Sequence, residues 1–570
     1  MNVILPTLAC FAVYAAGYAF YARFLAKRLF ELSPERTTPA HALTDGVDYV
    51  PAKPAVVFGH HFASITGLAP MLGPAVAVIW GWLPAMLWVV LGAIFVGCVH
   101  DFSALVVSLR AKGMSIGKVA EGIIGPRTKT LFHLIIFFAV ALAMGVFVYV
   151  IGTLFQTEIA PGAPGYPGAV TPSVGLIGLA LILGYLFYKR GLPLGPLAAV
   201  AFLVSLVFVW LGYTYPTMGL ADAVWPTRAT WVFALLFYAF IASVLPVWVL
   251  LQARDFVNSL MLYLGLAAAY LGLFVSAPTF QAPAFRSINQ GPSMIPFVFI
   301  VIACGAASGF HGLVSSGTTA KQLDREPDAR FVGYGGMMAE SLLGLLAVLA
   351  TTAGFSSRAA WYSHYDSWAT VQGLGKNIAA FIDGAGRFIA ALGVPQELAA
   401  AFIAVVVVSF ALTTLDSATR LLRYNIEEIG ETFGLSFNRY VSSVAAVVII
   451  GAFALYRVDG KPAALALWTL FGTTNQLLAG LTLLTATLYL RQRGKPVWFT
   501  GLPAAFMLIS TVAAMTWKLK EFFDKGQWLL FVVGTMLFIL AAWLVVEAFL
   551  VIRTPRRESS WDVEIDPAPT

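Results

Sequence analysis

Long apolar runs alternate with short, cation-bearing polar connections along the whole chain. The runs predict helices at about 3–22, 56–80, 83–108, 131–156, 173–188, 193–213, 230–251, 258–277, 293–319, 331–354, 395–418, 439–456, 462–490, 497–516 and 527–551. Most have the length of about 20 residues that a bilayer crossing requires. The pattern is that of an all-α polytopic membrane protein of about 15 transmembrane helices. One run is unlike the others. Residues 56–80, VVFGHHFASITGLAPMLGPAVAVIW, carry two adjacent histidines and are interrupted by Gly67, Pro70, Gly73 and Pro74. Such interruptions are tolerated in a membrane only where protein or a watery cavity satisfies the freed backbone groups. Broken spans of this kind mark the substrate or ion site of secondary transporters.

Residues 293–325 form a second interrupted, glycine- and serine-rich span, in which Ala307 to Leu313 loosely repeat Ala63 to Leu68. With the N-terminus outside, 25 lysines and arginines fall in or near inside connections, Arg254 among them, and 10 in outside ones, Lys518 among them. This asymmetry predicts an N-out, C-in topology. The two broken spans then run in opposite directions, as an inverted repeat requires.

Composition fixes the class. The chain is 59% hydrophobic and 11% charged with a mean hydropathy of +0.83, whereas soluble domains are roughly 45–50% apolar and about 25% charged. The net charge of +7 fits inside loops attracted to anionic lipid. Cys10, Cys98 and Cys304 all lie in apolar runs and imply neither a disulfide framework nor a cysteine metal site. The first span lacks a cleavage signature and reads as a retained helix. The loop after Gln156 is a proline- and glycine-rich turn, and 375–394 reads as an amphipathic surface helix or a re-entrant lid. The acidic tail from Glu558 reads as disordered. Nothing points to nucleic acid.

The candidate chemistry lies in the interrupted and polar runs. In FALTTLDSATRLLRY, residues 410–424, Thr413, Thr414 and Ser417 offer hydroxyl oxygens to a hard cation and Asp416 a carboxylate. Asp416 also stands one helical turn from Arg420, which makes an interfacial ion pair the plain alternative. His60 and His61 project about 100° apart on a helix, so they cannot share one ligand. His100, Asp101 and Glu340 are ionisable groups inside spans, where such groups face the bundle interior. A histidine near its ordinary pKa is a natural proton carrier, although each is equally readable as a hydrogen-bonded interior residue. His133, near the inner boundary, reads as a snorkelling residue. Asn475 and Gln476 bind substrate or bridge helices. Two histidines without third and fourth ligands nearby predict no metal site.

Several blocks carry a resemblance. FGHHFASITGLAPMLGPAVAVIWGW and its continuation to EGIIG, IACGAASGFHGLVSSGTTAKQL, VGYGGMMAESLLGLLAV, FALTTLDSATRLLRY and LWTLFGTTNQLLAGLTL resemble, in order, the signature blocks of the carbon starvation protein A (CstA) family. They cover most of residues 47–490. The resemblance implies a secondary active transporter, not an enzyme, in the bacterial cytoplasmic membrane. It takes up peptides under carbon starvation or, in some members, pyruvate by proton symport. It also implies the LeuT-like five-plus-five inverted repeat of the amino acid-polyamine-organocation superfamily. The first repeat would fill 56–213 and the second 293–490. The segments 1–55, 214–292 and 491–557 would be additions, followed by the tail 558–570. His60 stands where better-known members carry tyrosine, and His100 where they carry glutamine, which leaves substrate choice open.

The expected substrate site is His61, Ser64, Gly67, Pro70, Gly73, Ser308, Gly309, His311, Gly312, Asn475 and Gln476. Half-helix N-termini at the breaks would attract a substrate carboxylate. The expected ion-coupling residues are His100, Asp101, Glu340, Thr413, Thr414, Asp416 and Ser417, serving H+ or Na+, with no cofactor. A channel, a nutrient receptor or a membrane-embedded enzyme are the rival readings, the last without a convincing catalytic motif.

Overall fold

A computed structural model describes residues 1–160, 163–289, 291–458, 461–462 and 464–553. The tail reading at 558–570 lies outside them. The described chain is helical almost throughout, with two short hairpins, Glu158–Ala160 with Ala163–Pro164 and Arg457–Val458 with Lys461–Pro462. The long helices and the halves of broken spans are, in order, α1 Ile4–Leu29, α2 Pro54–Ile65, α3 Ala69–Trp80, α4 Trp82–Arg110, α5 Pro126–Leu154, α6 Pro167–Lys189, α7 Leu194–Thr214, α8 Arg228–Val244 and α9 Leu251–Ser276. They continue with α10 Met294–Val301, α11 Gly309–Gly317, α12 Glu326–Ala353, α13 Leu374–Ala390, α14 Gln396–Thr432, α15 Arg439–Leu455, α16 Ala464–Gln492, α17 Trp498–Asp524 and α18 Trp528–Arg553. Among the described residues, ten helices are long and apolar enough to cross a membrane, or eleven with α2 and α3 as one bent span. The helices α8 and α15 are shorter apolar ones.

Both interruptions open where the sequence places them. Pro54 starts α2, a position where its missing N–H costs nothing. The helix ends at Thr66, whose ψ of 85° is not helical, and α3 leaves at 47° to α2. A helix continued through the bend would need the residue at 70 to donate to the Thr66 carbonyl, and Pro70 has no N–H, so the bend cannot be straightened by an ordinary hydrogen-bond ladder. In the second span the helix stops at Ile302 (ψ 61°) and resumes at Gly309 after an extended Ser308. The intervening Gly305 has φ of +90°, a conformation that favours glycine.

The two breaks meet. A side-chain carbon on Gly73 would lie 2.5 Å from the Val301 carbonyl oxygen, and one on Gly305 would lie 3.6 Å from the Cα of Pro70. Around this junction α4, α5, α12 and α14 bury 72–89% of their most apolar windows, against 17–28% for α1, α7 and α18. The bundle centre therefore sits at the breaks, and the outer helices turn side chains such as Val200, Leu203, Val207 and Trp210 outward. Removing water from an apolar face does not drive packing between helices in lipid, so close approach through small residues matters more. Gly97 against the Ala306 carbonyl and Gly309 against the backbone of Asn475 and Ala479 show this, each leaving no room for a side-chain carbon.

Three sequence expectations change. The helix at 375–394 does not lie on the surface: α13 buries Leu374, Ile378, Phe381, Ile382, Ala385, Phe388 and Ile389 against α3, α9, α12 and α14. The span expected to end at 418 continues to Thr432, because Arg420 and Arg423 are not a polar boundary but pair with Asp48 of the linker. Arg254 is not a connection residue. It is 2% exposed inside α9.

Candidate functional site

Two buried polar clusters flank the junction. The first is built between the end of α2 and the middle of α14. Thr413 Oγ1 donates to the Ala63 carbonyl at 3.0 Å and Thr414 Oγ1 to the Ser64 carbonyl at 3.2 Å. The Ser64 and Ser417 hydroxyls are 2.8 Å apart. The threonines thus take up carbonyls at the unwinding end of α2, and Gly67 passes between the Phe147 ring and Thr414 Oγ1. Ser64, expected among the substrate residues, is brought to Thr413, Thr414 and Ser417. Asp416 turns the other way. It accepts from Arg254 Nη1 at 2.5 Å and from the Tyr238 hydroxyl at 2.6 Å, with Arg254 and Asp416 buried and Tyr238 half-buried. The Asp416–Arg420 pair, the alternative reading of that carboxylate, does not form. Arg420 reaches Asp48 at 3.0 Å and the carbonyls of Ala242 and Leu245, because the linker and the end of α8 lie on its side of the helix.

The second cluster joins α4, α11 and α12. Asp101 accepts from His100 Nδ1 at 2.7 Å through one oxygen and is 3.0 Å from His311 Nδ1 through the other. His311 Nε2 lies 3.3 Å from Glu340 Oε2. All four side chains are 0% exposed. Charged groups buried this deeply persist only when paired, and the chain of contacts supplies the pairing. Gly312 makes room for it by packing directly on the His100 ring.

Asn475 of α16 ties the second break. Its Oδ1 accepts the Phe310 amide at 2.9 Å and its Nδ2 donates to Ser308 Oγ at 3.0 Å. Ser308 is in the N-cap position of α11 but its own side chain does not cap the helix, so Asn475 supplies the cap from another helix. Gln476 donates to the Phe299 carbonyl at 2.8 Å, while its Oε1 is buried without a hydrogen bond. Pro70 and Gly73 line the junction itself. His61 Nδ1 is 2.8 Å from Thr319 Oγ1, and His60 Nδ1 is 2.7 Å from Asp255. The neighbours do point apart, each to a different partner. His133 does not snorkel: it is fully buried, with Asn425 at 2.9 Å and Glu428 at 3.2 Å.

Sequence reasoning missed Arg254, Asp255, Tyr238 and Thr319 as members of these clusters. The signal was present for two of them: Arg254-Asp255 is an adjacent opposite-charge pair at the edge of an apolar run. Read as a loop cation, Arg254 helped the topology count instead of the site.

The linker between α1 and α2 ties to the segment between α11 and α12 and to α14. Thr38 donates to the Leu323 carbonyl at 2.6 Å, and the amides of Val50 and Ala52 donate to Lys321 and Gln322. Asp48 then meets Arg420, Arg423 and the Tyr424 hydroxyl.

These features define a class first: a multi-pass helical membrane protein whose two broken spans abut beside fully buried, titratable side chains. Residues 2–387 and 369–514 match the family described as carbon starvation protein CstA, and the chain belongs to that family. The chain is 32% identical to the "Peptide transporter CstA" of Campylobacter jejuni over 590 residues, covering 92% of this chain and 82% of that protein. It is 31% identical to the protein of the same name in Bacillus subtilis over 91% of each chain. It is 30% identical to the "Pyruvate/proton symporter BtsT" of Escherichia coli over 90% of this chain and 81% of that one. Among solved structures, a manganese transporter of Eremococcus coleocola aligns over 89% of this chain and 99% of its own, with 12% identity and a TM-score of 0.46.

Proposed function

We propose that this chain is a secondary active transporter that imports peptides across the bacterial cytoplasmic membrane by symport, as part of the response to carbon starvation. The observation that carries the reading is the meeting of the two breaks, Pro70 against Gly305 and Gly73 against Val301, beside the Asp101–His311–Glu340 contacts. Peptide is the cargo favoured by the names of the Campylobacter and Bacillus relatives. A proton-coupled pyruvate or other small-carboxylate symporter is the second reading, favoured by the name of the Escherichia coli relative.

In this reading fifteen spans include a five-plus-five inverted repeat, 56–213 and 293–490, with 1–55, 214–292 and 491–557 as additions, in an N-out, C-in orientation. The substrate carboxylate sits at the junction near Gly67, Pro70, Gly73, Gly309 and Gly312, where half-helix N-termini attract an anion. His311 belongs to both halves of the mechanism, standing on the second break and touching Asp101 and Glu340. Proton movement among His100, Asp101, His311 and Glu340 then biases how α11 sits against α4 and α12. A coupling ion acts only through different affinity for the two states of the carrier, and a mobile half-helix supplies those states. The hydroxyls of Thr413, Thr414 and Ser417 are engaged by Ala63, Ser64 and one another, and Asp416 by Arg254. A hydroxyl that donates keeps its lone pairs for a cation, so these contacts leave Na+ open, and the titratable Asp101–His311–Glu340 chain is what favours H+.

Uptake into proteoliposomes with imposed gradients tests the reading. Accumulation of di- or tripeptide, or of pyruvate, driven by an inward proton gradient is the expected result. Flux indifferent to both proton and sodium gradients rules symport out and leaves a channel.

A further inference from the structure

Cys304 lies in the second break, and its place in an apolar run implied no metal site. Its sulfur, His311 Nε2 and a Glu340 oxygen lie within 4.8 Å of one another, on three buried side chains. Glu340 Oε2 and His311 Nε2 face each other at 3.3 Å, and neither makes a hydrogen bond of ordinary geometry. Cys304 Sγ contacts Ser308 Oγ at 3.2 Å and Asn475 Nδ2 at 3.8 Å, both weak sulfur contacts. Three different ligand atoms therefore converge on one point, with His311 and Glu340 already at ion-pair distance.

The surroundings add an independent argument. A metal-bound histidine almost always donates its other ring N–H to a carboxylate, a backbone carbonyl or water, which fixes the ring and raises its basicity. His311 does this: Nδ1 faces Asp101 at 3.0 Å and Nε2 points into the cluster, while Asp101 is itself held by His100 at 2.7 Å. We propose that Cys304, His311 and Glu340 form a binding site for a divalent transition metal ion of the zinc type, with the fourth position open to water or an exogenous ligand. Sulfur with nitrogen and one carboxylate oxygen suits Zn2+ and its surrogate Co2+ and disfavours Mg2+, Ca2+ and Mn2+, which prefer oxygen. Binding replaces the thiol proton and any proton on Nε2, both released to solvent. A bound ion would pin α11 and the break to α12.

The inference shares His311 and Glu340 with the transport reading, so its test begins with binding alone. Purified full-length protein in detergent, kept reduced, is titrated with Co2+. One equivalent is expected to give a near-ultraviolet thiolate-to-cobalt absorption that Zn2+ displaces. Cys304→Ser should abolish the band and Cys98→Ser should keep it. Asp101→Asn should keep the band but weaken binding about 10–100-fold, the usual effect of losing a carboxylate behind a ligand. If Cys304→Ser does not fold, Glu340→Gln carries the test, with at least tenfold weaker binding expected. No band in the unsubstituted protein, a band surviving Cys304→Ser, or unchanged affinity in Glu340→Gln overturns the site. In proteoliposomes Zn2+ should inhibit uptake by the unsubstituted protein and not by Cys304→Ser. A cobalt band without gradient-driven uptake leaves the metal site standing and removes the symporter.

Discussion

Arg254 and Asp416 show how a single residue's role depends on what reaches it. The pair is 2.5 Å apart and closed to solvent, with Tyr238 and Asp255 completing it. Its net contribution to stability is small, because desolvating both charges costs nearly what their attraction returns, but removing one partner strands the other. Arg254→Met should therefore destabilise by about 3–5 kcal/mol, read as a lower melting temperature in detergent, while Arg254→Met with Asp416→Leu recovers most of the loss. A single substitution as mild as the double one would mean that the pair is solvated. Asp416→Asn leaves Arg254 without its full partner and is expected to lower both the melting temperature and gradient-driven accumulation, and unchanged accumulation removes Asp416 from coupling. At Glu340 the expected split is different. Glu340→Gln keeps substrate exchange but loses proton-driven accumulation, measured by comparing counterflow with uptake under a gradient. Equal loss of both assigns the residue to folding or substrate binding.

At the scale of elements, the second break depends on a residue from another helix. Asn475 holds the Phe310 amide and the Ser308 hydroxyl, so α11 has its cap on α16. Asn475→Ala should cost roughly 1 kcal/mol, within the range for losing a helix cap, and should loosen the start of α11. Hydrogen exchange of residues 309–312 checks this, and unaltered exchange refutes it. The positions of both breaks were legible in the order of glycines and prolines, and so was the polar face of α14. The partners were not. Asp416 stands four residues before Arg420, and helical spacing alone pairs them; only the packing of α8 and α9 offers Tyr238 and Arg254 first. His133 looked like an edge residue because it stands near the start of an apolar run, a few positions after Arg127 and Lys129, yet α14 continues past it and covers it with Asn425 and Glu428.

For the whole molecule, the linker between α1 and α2 closes onto α14 and the 321–323 segment. Asp48 meets Arg420 at 3.0 Å and the Tyr424 hydroxyl at 2.5 Å. Burial works to raise the Asp48 pKa, but Arg420, Lys321, Arg423 and the Tyr424 hydrogen bond outweigh it and hold the carboxyl below its ordinary 3.8. A depressed carboxylate pKa stabilises the folded state above the unfolded value, and the contribution fades as pH falls through the folded one. The closure is therefore expected to be intact at neutral pH and to loosen only below about pH 4. Asp48→Asn should reproduce the loosening at neutral pH, seen as faster labelling of a cysteine placed at Gln322 by a water-soluble maleimide. Labelling that rises in neither condition would show that Asp48 does not hold the linker down.

Hydropathy and glycine and proline placement determined that the chain crosses a membrane many times and where two crossings break, because both follow from local backbone and solvation energetics. The block order determined the family. Which buried charges share a pair, and that Cys304, His311 and Glu340 converge, was decided only by tertiary structure. These residues stand 7, 29 and 36 positions apart in sequence, and no local energy relates them. The side chain that neutralises a charge inside a bundle is the one packing brings nearest, and packing is a property of the assembled helices.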